Sequence, residues 1–347
     1  MTPSPSILRS TRLATAALAA AVALGGGAGL AAADNVEIRM ATLAPDGSSW
    51  IKVLAKAGAE IETKTAARVK VKYYAGGVQG DEKDVVRKIN LGQLDGAAVT
   101  SIGLGMIEPS IRVLELPLMF KSVEELDYVA DKMWSHFTKK FDEKGWILQD
   151  RGEVGWVYFM SKDKIDSLAS LKATKMWLWG DDDLVRASFK KVGINGTPLG
   201  VPEVEPALAS GRINAAYSSP LAAVALQWNT KIKYVTSMPM SFAIGATVVK
   251  KDLVKKLSAE DYALVKKVAK AASKTLRKQI RKDNASALKT MTRKGVQIVE
   301  TPPAMIAEFE TLAKAVWNEQ VGKLYSKTEL DLVLKYRDEY RAKNPGK

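Results

Sequence analysis

Hydrophobic positions change their spacing twice between residues 75 and 100. A polar turn holding Gly76, Gly77 and Gly80 leads into Asp81-Glu82, a helix start. Val85, Val86 and Ile89 then recur at helical spacing, Gly92 closes the run, and residues 97–100 are extended and apolar. This order predicts a strand–helix–strand unit. The glycines reach backbone angles closed to other residues and let main-chain N–H groups approach a ligand closely. A later stretch repeats the pattern: Gly211-Arg212-Ile213-Asn214-Ala215-Ala216 echoes Gly92-Gln93-Leu94-Asp95-Gly96-Ala97, with Ser219 standing where Thr100 stood. Ligands of open α/β sheets sit beyond the carboxyl ends of strands, so Thr100-Ser101 and Tyr217-Ser218-Ser219 are expected to face one cleft.

Elsewhere the period is clear. Residues 155–160 alternate with Trp156 and Tyr158 on one face, and Trp177 and Trp179 share a face of the next strand. Residues 258–294 predict one long helix, with Ser258 as N-cap and Leu264, Val268, Ala272, Leu276 and Ile280 as its apolar stripe. The mixture predicts α/β organisation in two lobes.

Residues 1–33 carry Arg9 and Arg12 ahead of an alanine- and leucine-rich run and end in Ala31-Ala32-Ala33. That is the make-up of a secretory signal peptide cleaved near Ala33. The 347 residues contain no cysteine, which removes disulfides, thiolate metal sites and cysteine nucleophiles together. The net charge of +14 falls to about +12 without the leader arginines. Much of it lies on the long helix, among Lys266, Lys267, Lys270, Lys274, Arg277, Lys278, Arg281 and Lys282. Exposed aromatics do not interleave with these, and the leader directs the chain away from nucleic acid, so the helix face is read as solvated.

Catalytic patterns are missing. His136, the single histidine, lies among Trp134, Phe137 and Lys139 in a predicted helix with no obvious nucleophile partner, and no Gly-x-Ser-x-Gly elbow, phosphate loop or His-Glu-x-x-His helix occurs. Asp181-Asp182-Asp183 lacks the spacing of a calcium loop and reads as a turn opening a helix before Leu184. An exported hydrolase is the least supported class, and neither metal nor cofactor is expected.

Six stretches, in order, carry a resemblance: ATLAPDGSSW at residues 41–50, GGVQGDE at 76–82, LGQLDGAAVTS at 91–101, ELPLMF at 115–120, SLKATKMW at 170–177 and SGRINAAYSSPLAA at 210–223. The chain resembles the DctP-type solute-binding proteins of tripartite ATP-independent periplasmic (TRAP) transporters. The resemblance implies a two-lobed periplasmic binding protein with a hinge, central mixed sheets flanked by helices, and a long helix crossing both lobes. Residues 34–152 would begin lobe I, 153–243 would form lobe II, and 244–347 would supply a return strand, the long helix and C-terminal helices on lobe I. It also implies capture of a small molecule in the periplasm and delivery to integral membrane permease subunits. A periplasmic accessory protein that receives the ligand is the alternative partner.

The family pattern LKGxKIR ends in an arginine that grips an acid ligand. Here the run Leu171-Lys172-Ala173-Thr174-Lys175-Met176 is followed by Trp177. A guanidinium gives a carboxylate two charge-assisted hydrogen bonds, whereas an indole gives one N–H and a broad apolar face. The expected ligand is therefore hydrophobic or amphipathic. An organic acid would need a substitute cation, with Lys175, Arg151 and Arg186 as nearby options. The expected wall is Ser48, Ser49, Trp50, Gln79, Glu82, Thr100 and Ser101 from lobe I, with Trp156, Tyr158, Trp177, Trp179, Tyr217, Ser219 and Trp228 opposite. Glycine-turn amides and hydroxyls are expected to orient the polar end of the ligand.

Overall fold

The computed structural model describes residues 35–345, so the expected leader and its cleavage point lie outside the described residues. The strands are β1 Val36–Ala41, β2 Val69–Tyr74, β3 Gly96–Thr100, β4 Trp146–Ser161, β5 Met176–Trp179, β6 Gly196–Leu199, β7 Ala215–Ser218, β8 Tyr234–Thr236, β9 Ser241–Lys250 and β10 Gln297–Val299. The α-helices are α1 Ser49–Lys64, α2 Glu82–Asn90, α3 Ser101–Ile107, α4 Val123–Glu143, α5 Leu168–Lys172, α6 Asp183–Val192, α7 Val201–Ser210, α8 Pro220–Ala225, α9 Ala259–Arg293, α10 Pro303–Glu319 and α11 Lys327–Lys343.

The main strand path runs β2-β1-β3-β9-β4-β7-β5-β6. Its first part is a mixed sheet in which β1 pairs in parallel with β2 and β3, and β9 runs antiparallel to β3 and β4. Its second part pairs β5 in parallel with β6 and β7. The two long strands β4 and β9 join the parts, and the expected boundaries at 152/153 and 243/244 fall inside them. The two-lobed α/β architecture expected from the pattern is the one found.

Each part has its own apolar core. One face of the first sheet packs on Phe137, Phe141 and Met133 of α4 and on Leu104 of α3, all almost fully buried. Its other face meets α1 and α9 through Ile38, Met40, Ile61 and Val268. The second sheet is buried around Leu171, Met176, Leu208 and Ile213. Short polar side chains start the helices that face the cleft: Ser48, Asp81, Thr100, Asp182 and Ser219 accept first-turn amides of α1, α2, α3, α6 and α8. Each such cap is worth about 1 kcal/mol.

The long helix α9 starts at the expected cap, where Ser258 accepts the Asp261 amide at 3.0 Å. Its 35 residues span about 52 Å at 1.5 Å per residue. It packs on α1 at one end and on α8 and the second core, through Met291, at the other. Arg281 fastens its middle, donating to Glu153 and Asp127 at 2.9 Å each. One turn on, Asn284 donates to the Val154 carbonyl at 2.9 Å and accepts the Leu221 amide at 3.1 Å. This approach needs Gly155: its φ is +121°, and a Cβ there would lie 2.6 Å from the Asn284 amide nitrogen. His136 pairs with Glu329 at 2.9 Å, linking α4 to α11.

Candidate ligand-binding cleft

Strand ends of the first sheet meet those of the second across a cavity of about 590 Å³. That is within the range of small-molecule sites, about 300–1,000 Å³. From the second sheet comes an aromatic cluster. β5, Met-Trp-Leu-Trp, is buried along its whole length, so its side chains must pack on both faces. Trp177, 2% exposed, stacks on Tyr217 of β7 with ring centroids 4.7 Å apart, and Trp228 meets it edge-on at 5.2 Å. Trp179 lies 5.7 Å from the same ring. All four border the cavity. Such pairs add about 0.5–1.5 kcal/mol each beyond the area they bury.

The indole N–H groups of Trp177 and Trp179 and a lone pair of the Tyr217 hydroxyl are already engaged. Trp177 donates its indole N–H to the Leu199 carbonyl at 3.0 Å, and the Tyr217 hydroxyl accepts the Trp179 amide at 3.1 Å. Burial pushes the Tyr217 phenol well above its usual range. What the cluster offers a ligand is therefore mainly ring surface, with the Trp228 indole N–H and the Tyr217 hydroxyl proton beside it.

The opposite wall carries charges that answer one another. Among the described residues Arg112 is the one buried cation bordering the cavity, while Lys266 and Lys270 on its border are exposed. Arg112 donates to both oxygens of Asp182, at 2.9 and 3.1 Å. Glu115 lies alongside, its Oε2 3.8 Å from Arg112 Nε, and neither atom has a hydrogen-bond partner. Burial carries the Glu115 carboxyl up to about 8, Arg112 opposing the rise. Glu82 is also pushed by burial to about 7, although the Thr100 amide and hydroxyl and the Gly103 amide donate to it at 2.7, 2.9 and 2.6 Å.

The halves are in contact around this cavity. Asp81, at the start of α2, accepts the Trp179 indole N–H at 3.1 Å and the Val201 amide at 2.9 Å. Burial raises its pKa in spite of these donors. Lys83 pairs with Asp181 at 2.9 Å outside, and Arg112–Asp182 joins the halves inside.

Of the expected wall residues, Trp50, Glu82, Thr100, Trp177, Trp179, Tyr217, Ser219 and Trp228 border the cavity. Ser48, Ser49, Gln79, Ser101, Trp156 and Tyr158 do not. Ser48 is the cap of α1, with Ser49 the first residue of that helix, and Gln79 accepts from Lys88 at 3.0 Å. Ser101 is fully buried. Trp156 and Tyr158 are corrected by the pleat of β4: Val157 faces the cavity, and its neighbours point the other way, Trp156 meeting Phe242 edge-on at 5.1 Å. The glycine-turn amides are corrected as well. Gly76, Gly77 and Gly80 have the expected positive φ, but their amides donate to the Ala44, Thr42 and Gly77 carbonyls. Thr100 and Ser219 hydroxyls serve Glu82 and the α8 cap.

None of the three proposed substitute cations lines the cavity. Lys175 and Arg186 are exposed, and Arg151 is buried between Asp127 and Glu153. Arg112, Glu115 and the pairing roles of Asp81 and Asp182 across the cleft escaped the reading of the sequence. Glu115 did stand in the ELPLMF stretch, which was a signal; nothing near Arg112 marked its distant partner.

Two sheets joined by a pair of crossing strands, with a cavity between them, define a solute-binding protein of the hinged kind. The chain belongs to the bacterial extracellular solute-binding protein family 7, DctP, whose model matches residues 40–324. A solute-binding protein of Verminephrobacter eiseniae is 25% identical over 276 residues, 79% of this chain and 81% of the relative. Among solved structures, the sugar acid binding protein DctPAm of Advenella mimigardefordensis, in complex with galactonate, superposes with a TM-score of 0.83 at 18% identity, covering 88% of this chain and 99% of that one. A TRAP periplasmic solute binding protein of Xanthobacter autotrophicus, with bound β-D-galacturonate, gives 0.80 at 20% identity, covering 87% and 99%. At these identities the likeness is one of fold. Members of the family are periplasmic proteins that bind small molecules, work with membrane permease subunits and are not enzymes.

Proposed function

We propose that this protein captures an uncharged, largely apolar molecule between its halves and hands it to TRAP permease subunits. The observation that carries this reading is Trp177, packed among Tyr217, Trp179 and Trp228 at the position where the family pattern has an arginine. On this reading Arg112 does not replace that arginine: its Nη2 is held by both oxygens of Asp182, and Glu115 lies 3.8 Å from its Nε. An incoming carboxylate would meet a cation already paired with Asp182 and, without the family's arginine, would forgo about 2–5 kcal/mol of charge pairing. On this reading Trp50, Glu82, Thr100, Trp177, Trp179, Tyr217, Ser219 and Trp228 form the ligand wall. The mature chain begins after Ala33, and the halves hinge near 152/153 and 243/244.

The sugar acids named for the structural neighbours favour a second reading, in which Arg112 exchanges Asp182 for a ligand carboxylate. Calorimetric titration with D-galacturonate separates the two. The proposal expects no binding at millimolar ligand by the native chain and a gain of binding in Trp177→Arg. Micromolar binding by the native chain, unchanged in Trp177→Ala, would overturn it.

A further inference from the structure

The cavity does not stop at the cleft. Its lining continues from Trp50 along the outer face of the first sheet, beneath α9, to Val265 and Leu257 near the start of that helix. We infer that this chamber under α9 is a second subsite that holds the extended hydrocarbon chain of the ligand, whose compact uncharged head lies against the aromatic cluster. The inference rests on the apolar-ligand reading above and adds the class of molecule: a long-chain or isoprenoid alcohol, or another lipid without charge.

Three observations support it. First, small side chains oppose one another across the chamber, Ala98 and Gly245 on the sheet against Ala269 and Ala272 on α9, so the helix spans the sheet without filling the space between. Protein interiors pack as densely as organic crystals, so an unfilled apolar space of this kind is open to apolar guests. Secondly, Val71, Ile147, Val265 and Ala272 sit between sheet and helices yet are only half-buried, in contrast to the fully buried residues on the other face of the same sheet. Thirdly, the Tyr73 hydroxyl donates to no described residue, and burial pushes its phenol far above the usual range, as expected for a ring set in an apolar chamber. A chain lying there would cover all three features. Its length follows the run of the helix, while its head stays at Trp177.

The test is a series of 1-alkanols from six to sixteen carbons, titrated into the native protein and into Ala269→Trp, with tryptophan fluorescence and calorimetry as readouts. Affinity in the native protein should rise by up to about fourfold per methylene until the chamber is full. In Ala269→Trp the rise should stop several carbons earlier, with the longest alcohols weakened at least tenfold and hexanol within twofold of native. Ala269→Leu, a milder plug checked by thermal unfolding, should give an intermediate cut-off and serves if the tryptophan variant does not fold. Identical length dependence in native and plugged proteins overturns the chamber while leaving the cleft reading standing. Failure of every alcohol to bind the folded native protein overturns both.

Discussion

The two walls of the cleft are built from opposite materials. The wall from the second sheet is Trp177, Trp179, Tyr217 and Trp228, rings of which two, Trp177 and Trp179, spend their indole N–H groups within the fold. The wall from the first half is Glu82, Arg112 and Glu115, side chains with ionisable ends that are buried, Glu82 held by the Thr100 and Gly103 amides and Arg112 by Asp182. One wall can therefore supply binding energy through contact area. The other mainly sets which charges are refused, since a buried ion is costly unless it is matched.

Removing part of each wall should separate these roles. Trp177→Ala should have the largest effect, about 3–5 kcal/mol of stability by denaturant unfolding, because it takes a large ring from a packed cluster and leaves a void. Ligand binding should fall with it by at least a hundredfold. Asp182→Ala should cost about 3–5 kcal/mol less the part recovered by water entry, since Arg112 is left buried without its partner. The same variant should gain affinity for D-galacturonate, measured by calorimetry, because its guanidinium is then free.

The carboxyl groups give the next effect, a slope of stability against pH. The native state keeps a proton on Glu115 up to about 8, whereas the unfolded chain releases it near about 4.3. A folded state that binds the extra proton loses stability as pH rises through that interval and levels off above it. Glu82, raised to about 7, acts with the same sign, so Glu115→Gln should flatten the decline between pH 5 and 8 (~kcal/mol scale) without abolishing it. Smaller again is Asp81→Ala. It removes the acceptor for the Trp179 indole and the Val201 amide and should shift the chain by about 1–3 kcal/mol toward an open form, seen as a larger radius of gyration in solution scattering.

Much of the fold was legible because its signals are local. Ser258 and the apolar spacing after it determine where α9 starts and which face is buried; the glycine turn and Gly92 bracket α2; Trp177 and Trp179 lie on β5 as read. The site was less legible, for two physical reasons. The face of Trp156 and Tyr158 depends on the pleat of β4, whose register against β9 shifts between Leu148 and Arg151 and again between Glu153 and Gly155. Alternation along a strand cannot tell which of its two faces meets the cavity. The Arg112–Asp182 pair joins residues 70 positions apart, and it forms only where the two halves meet. The glycine turn shows a third limit: its backbone angles follow from sequence, but the carbonyls that take up the Gly76 and Gly77 amides come from the loop after β1.

The central claim is that an indole and its aromatic neighbours, in place of a cation, select the solute. Native mass spectrometry of the freshly purified full chain, followed by release and identification of whatever it carries, tests this most directly. The account predicts an uncharged, chain-bearing molecule that is lost from Trp177→Ala. A sugar acid carried by the native protein and retained by Trp177→Ala would contradict it.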